Sequence, residues 1–203
     1  MDDKNLPKAQ TYYDKQINWM INDLVKSNGV DANYLVALGC IVYTEIIGRF
    51  LPKLDHERGL SQNKRARFYR CLYRLKSSNE LMQFNDWLKK ETGSKEIYDL
   101  RNSMAHRYSP SVSKKENNGQ VTLFLPSLVA KHGISKDPVT KEKGRTAPIF
   151  FDFEKGRIVV AVGNYIDELK EATSEFYELT FKQDVEEYKY SAIEGIKYLE
   201  QDQ

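Results

Sequence analysis

Apolar residues recur at Tyr13, Ile17, Met20, Ile21, Leu24 and Val25, three and four positions apart, the spacing of one face of an α-helix. The polar "SNG" stops that pattern, and Asp31 stands where the N-cap of a second helix belongs. This second segment runs to about Leu51, is apolar on nearly every side and stops before Pro52, as expected of a helix at the centre of a bundle. After a loop through His56 and Gly59, "NKRARFYRCLYRLKS" sets an apolar stripe of Phe68, Leu72 and Leu75 on a basic helix. "NELMQFNDWLKKETG" repeats the helical spacing at Leu81, Phe84 and Leu88, with Gly93 as its stop. "IYDLRNSMAHRYSP" predicts one further helix that ends near Ser109-Pro110.

The period then changes. "QVTLFLP" and "PIFFDFEKGRIVVAV" are strand-like, and "EKGR" between two alternating runs predicts a hairpin turn. Between them "KHGISKDPVTKEKGRT" is polar, basic and rich in turn formers, the composition of a loop. Helical spacing returns after Gly163-Asn164 at Ile166, Leu169, Thr173, Phe176 and Thr180, and past a break at Val185, Tyr188, Ala192 and Leu199. The pattern predicts a mainly α protein, a single domain over residues 1–203. Its helical bundle takes in residues 10–110 and 164–202, and a small antiparallel β-hairpin or sheet is inserted at about 119–162, before a long C-terminal helix.

Composition narrows the function. With 40% hydrophobic and 30% charged residues the chain is an ordinary folded domain. A net charge of +2 excludes a histone-like polycation, but the charge is uneven: residues 167–203 hold eleven acidic against four basic residues, and the remainder 27 basic against 18 acidic. Such asymmetry gives one part of the surface an attraction for polyanions, unless the two parts neutralise each other. Cys40 and Cys71 both fall in helical patterns, which suits packed thiols of a reduced intracellular protein better than a disulfide framework. "MDDKNLPKAQ" is polar and acidic, unlike a signal peptide, and "YLVALGCIVYTEIIGRFL" is interrupted by Glu45 and Arg49, unlike a membrane span. A cytoplasmic location without a membrane partner is the expectation.

On a helical wheel at about 100° per residue, Ile97, Leu100, Met104 and Tyr108 share one side and predict its burial. Arg101 falls roughly 40° from the centre of that stripe, at the core margin, where a guanidinium needs a carboxylate or a polar cavity. His106 falls close to 180° from it, on the face that Asn102 shares, either solvated or turned to a second interface. On the second helix Glu45 is the lone ionisable residue of a seam with Tyr34, Leu38, Ile41 and Gly48, so it is the obvious partner for Arg101. Gly39 and Gly48 leave room for another helix to approach.

The chain has no Cys/His cluster of metal-ligand spacing, no phosphate-binding glycine loop and no nucleophile elbow. No cofactor is expected. Arg and His can still do chemistry together: His moves a proton near neutrality, and Arg grips a phosphate and stabilises charge developing on it. RNA brings its own nucleophile, the 2′-hydroxyl.

"LRNSMAH" at the end of a bundle helix resembles the R-x4–6-H signature of the HEPN superfamily, whose residue after the Arg is commonly polar, as Asn102 is. Arg49 to His56 has similar spacing, but Pro52 interrupts it. The resemblance covers the helical part and leaves the β insertion unaccounted for. It implies a helical bundle acting as a metal-independent ribonuclease of a toxin–antitoxin or defence system, with Arg101 and His106 as the catalytic pair and Asn102 as auxiliary. It also implies a homodimer with a composite site, and an antitoxin or regulatory partner. Glu45 and Tyr108 are expected to support that site. The alternative is a non-catalytic HEPN-like module that binds nucleic acid, nucleotide or a partner protein.

Arg67, Arg70 and Arg74, at i, i+3 and i+7 of the basic helix, predict a cationic face for RNA, with Tyr69 and Tyr73 flanking it to stack on bases. The competing expectation is that these arginines pair with the acidic C-terminal helix.

Overall fold

The computed structural model describes residues 5–29, 33–55, 64–93, 95–107, 111–115, 121–130, 147–152 and 155–201. Asp31, His56, Gly59, Tyr108 and the basic loop at 131–146 lie outside the described residues. The chain is mainly helical, with a small sheet before its C-terminal helices. Helix α1 (Leu6–Tyr12), a π-helical turn (Tyr13–Ile17) and α2 (Asn18–Gly29) follow without a break. Helices α3 (Asn33–Gly48), α4 (Lys64–Arg74), α5 (Asn79–Thr92) and α6 (Ile97–Arg107) come next. Strands β1 (Ser111–Lys115), β2 (Val121–Ala130), β3 (Ile149–Asp152) and β4 (Arg157–Ala161) precede α7 (Val162–Tyr177), a second π turn (Glu178–Lys182) and α8 (Glu186–Gln201).

Two compact units divide these elements: Met1–Asp23, Tyr43–Asn79 and Leu169–Gln203 form one, Leu24–Val42 and Glu80–Glu168 the other. Helices α2, α3 and α7, and α5 through its first residue, contribute residues to both.

In the first unit an aromatic cluster joins the aliphatic interior. Tyr13 sits against Phe176, Tyr177 and Phe181 at ring-centroid distances of 5.9, 4.8 and 6.2 Å, and its hydroxyl donates to the Thr173 carbonyl at 3.0 Å. Two glycines set the helix spacing. A Cβ at Gly48 would lie 1.7 Å from the Arg67 carbonyl oxygen, so α3 and α4 touch backbone to backbone. A Cβ at Gly195 would lie 2.5 Å from the Phe50 ring, which places α8 against the end of α3. The Glu175 carboxylate accepts from the amides of Lys76 and Ser77 at 2.9 and 2.8 Å and from the Ser77 hydroxyl at 2.7 Å, satisfying donors just ahead of α5.

In the second unit the sheet runs β1-β2-β4-β3. The predicted hairpin is present as the antiparallel pair β3–β4, with Gly156 at φ +59° in its turn. The sheet goes further than the sequence pattern: β1 pairs antiparallel with β2, while β2 and β4 are parallel, from Ser127 opposite Ile158 to Ala130 opposite Ala161. With a neighbour on each side, β4 buries successive residues Ile158, Val159, Val160 and Ala161, as a central strand does.

The glycine contact makes a signed prediction. Gly48→Ala removes a poor helix former, yet it drives a methyl group into the Arg67 carbonyl. We expect a net loss of about 1–3 kcal/mol in urea unfolding, and a gain in stability would refute the backbone approach. A second prediction concerns pH. Burial raises the pKa of Tyr12, Tyr13 and Tyr188 above the ordinary tyrosine value. The folded state therefore holds these protons more tightly, so their contribution is complete below about pH 10 and declines as pH rises beyond it. The unfolding midpoint should fall on that alkaline side, and Tyr13→Phe should make the fall shallower.

Candidate functional site

Helix α6 carries the Arg/His segment, and its termini are tied down by side chains of its own unit. At its start the buried Asn85 accepts from the Ile97 amide at 3.0 Å, and Asp99 reaches back to the Glu96 amide at 3.0 Å, the returning half of a capping box. Gly93, at φ +76°, releases the chain from α5, and Thr92 takes the Lys95 amide at 2.8 Å while donating to the Leu88 carbonyl at 2.7 Å. Near the other end the Tyr34 hydroxyl donates to the Met104 carbonyl, one of the acceptors that a helix ending at Arg107 leaves open.

Ile97, Leu100 and Met104 are fully buried, as the wheel predicts. Arg101 and Asn102 are half-buried at the margin of that stripe. The Arg101 guanidinium donates through Nη1 to Asn102 Oδ1 at 3.2 Å and lies over the Tyr98 ring at 5.6 Å from its centroid. This arrangement holds the planar fork of Arg101 from two sides, which favours directional binding of an anion. His106 stands in the last turn of α6, with its side chain outside the described set. Glu45 is buried at 8% exposure in the part of α3 that belongs to the first unit, whereas Arg101 belongs to the second.

The basic helix α4 departs from the expected RNA-binding face. Phe68, Leu72 and Leu75 are buried as predicted, but Arg70 is only 5% exposed. Arg74 is paired with Glu187 of α8 at 3.4 Å and donates to the Lys53 carbonyl, and the Tyr188 hydroxyl donates to the Arg74 carbonyl at 2.8 Å. Arg67, Arg70 and Arg74 therefore do not form one evenly exposed cationic face, since Arg70 is buried and Arg74 is paired. The physical cause is that α4 meets neighbours on the arginine side as well as on the apolar side, through Gly48 and through α8. The competing expectation, pairing with the acidic C-terminal helix, describes Arg74. Tyr69 is half-buried, with Arg65 Nε donating to its hydroxyl at 3.3 Å, and Tyr73 is 38% exposed.

What the sequence reading missed is a cleft of about 270 Å³ in the first unit. Arg67 and Arg70 line it with Arg49 and Lys53, while Glu187, Tyr190, Ser191 and Glu194 of α8 line it too. The available signal was a glycine inside each of two helical patterns, Gly48 and Gly195, together with the opposite charge of α4 and α8. Among the described residues no group of His, Cys, Asp and Glu is placed to hold a metal ion, and no helix is long and apolar enough to cross a membrane. No family model, curated protein or solved structure matches this chain.

The anchoring of α6 is testable. Asn85→Ala leaves the buried Ile97 amide without its acceptor, and we expect a loss of about 1–3 kcal/mol, with faster hydrogen exchange at the first turn of α6. Exchange that stays at the wild-type rate would show that Asn85 does not hold the helix.

Proposed function

We propose that the chain is a HEPN-like endoribonuclease that needs no metal, of toxin or defence type, working as a homodimer with a composite site. The observation that carries this reading is Arg101, half-buried and held by Asn102 and Tyr98, five residues before His106 on the same anchored helix. In the reaction the RNA 2′-oxygen bonds to the adjacent phosphorus and the bond to the 5′-oxygen breaks. His106 serves as the general acid/base for the protons of the two oxygens, and Arg101 stabilises the charge on the phosphoryl oxygens. Asn102 positions the guanidinium. An antitoxin or regulatory protein would restrain such an activity, and a cytoplasmic site of action follows from the substrate.

The test is incubation of wild type and His106→Ala with end-labelled RNA in excess EDTA. Fragments ending in 2′,3′-cyclic phosphate are expected from wild type, and none from the folded variant. Equal cleavage by both would remove His106 from the mechanism. The burial of Arg70 and the pairing of Arg74 favour a second reading, a non-catalytic binding module, because they reduce the cationic face offered to an RNA backbone. That reading expects no fragments from either protein. It also expects Arg101→Ala to cost about 3–5 kcal/mol of stability, as for a group that serves only to balance a buried charge.

A further inference from the structure

Hydroxyl side chains on the helices of this chain return to their own backbone. Thr11, Thr92 and Ser191 donate to the carbonyl four residues back, at 2.8, 2.7 and 2.9 Å, and Thr173 to the carbonyl three back, at 2.9 Å. Thr180 breaks the pattern. It is 0% exposed, and among the described residues its hydroxyl has no hydrogen-bond partner. It stands in the middle of the π turn Glu178–Lys182, where the Gln183 amide reaches five residues back to the Glu178 carbonyl at 2.8 Å. A buried hydroxyl without a partner costs free energy, and an α-helical register recovers it by bringing the Phe176 carbonyl, four residues back, within reach.

The π register is held from its C-terminal end. Asp184 adopts φ +59°, a conformation that a residue with a side chain seldom takes, and the Val185 amide thereby closes on the Leu179 carbonyl at 3.0 Å. The Lys189 ammonium, its side chain only 11% exposed, sits between the carboxylates of Asp184 at 3.0 Å and Glu186 at 3.2 Å. This ionic clamp ties the strained residue to the first turn of α8. One group is thus left unsatisfied by the π register while another set imposes it.

We propose that residues 178–185 are a two-state register switch. The π turn exchanges with an α-helical register in which Thr180 donates to the Phe176 carbonyl, and the Asp184–Lys189–Glu186 clamp sets the balance between them. The consequence falls on α8, which begins directly after the switch. Its first turn carries Glu187 and Tyr188, which hold Arg74 through the ion pair and the carbonyl contact. The α-helical register moves that turn and releases Arg74 to an anionic partner. The switch lies within the first unit and does not rest on the ribonuclease reading.

Helix register shifts occur in microseconds to milliseconds, the window of NMR relaxation dispersion, so backbone amides of the full chain report the exchange. The amides of Thr180, Phe181 and Gln183 should exchange with one common rate, shared by Glu187 and Tyr188. Lys189→Met removes the clamp and keeps the length of the side chain. It should raise the population of the second state about fivefold. Thr180→Val keeps the shape and removes the hydroxyl, so the α-helical register gains nothing and the exchange should vanish. Unchanged circular dichroism spectra establish that both variants are folded. A Lys189→Met protein with no more exchange than wild type, exchange that persists unaltered in Thr180→Val, or a rate at Glu187 and Tyr188 unrelated to that at Thr180 would each overturn the proposal.

Discussion

The carbonyl oxygen of Arg67 occupies the space that any side chain at position 48 would fill. That one approach fixes more than helix spacing. With α3 and α4 in backbone contact, and α8 held against the end of α3 by Gly195 and Phe50, the arginine side of α4 cannot face open solvent along its length. Arg70 becomes buried, Arg74 finds Glu187, and the Tyr188 hydroxyl closes on the Arg74 carbonyl. Packing therefore decides the electrostatics here. Two residues without side chains determine where the positive charges of α4 end up.

The sequence was legible where local periodicity and a stop signal coincide. α5 ends at Thr92 before Gly93 at φ +76°, and the β3–β4 hairpin turns at Gly156 at φ +59°, both at positions that a glycine marks in the chain. β1 was not legible, because "SVSKK" has no alternation of apolar residues to mark it. Nor was the parallel pairing of β2 with β4, since register between strands some thirty residues apart leaves no local trace. The π turn at Tyr13–Ile17 was also hidden, because its buried residues Tyr13 and Ile17 keep the four-residue spacing of an α-helix.

The site shows the same division. Burial of Ile97, Leu100 and Met104, with Arg101 at their margin, follows from the wheel because it depends on α6 alone, whereas Asn102, which the wheel turns to the outer face, is half-buried. The groups that hold α6 in place do not follow from it. Asp99 is near in sequence and could be read as a cap, but Asn85 comes from α5 and Tyr34 from α3. Each satisfies a backbone group that the helix terminus leaves open, so each spares the protein an unpaired polar atom and removes a route for the helix to fray. A guanidinium mounted on a helix secured in this way is oriented before any ligand arrives, which is the condition for a directional phosphate contact.

The uneven charge of the sequence invites a simple inference, that a basic part attracts polyanions while an acidic part stays away. The first unit shows why that inference is incomplete. Opposite charges on α4 and α8 meet, and Arg74 with Glu187 cancels part of the asymmetry within the protein. The other cations of this unit, Arg49, Lys53, Arg67 and Arg70, line a concave space together with Glu187 and Glu194. A convex cationic stripe would hold an extended backbone through many weak, screened contacts. A cleft instead sets the same kinds of side chain beside carboxylates around one concave space, so the walls decide what those charges meet. Where these charges lie depends on the close approaches at Gly48 and Gly195, which charge alone does not reveal.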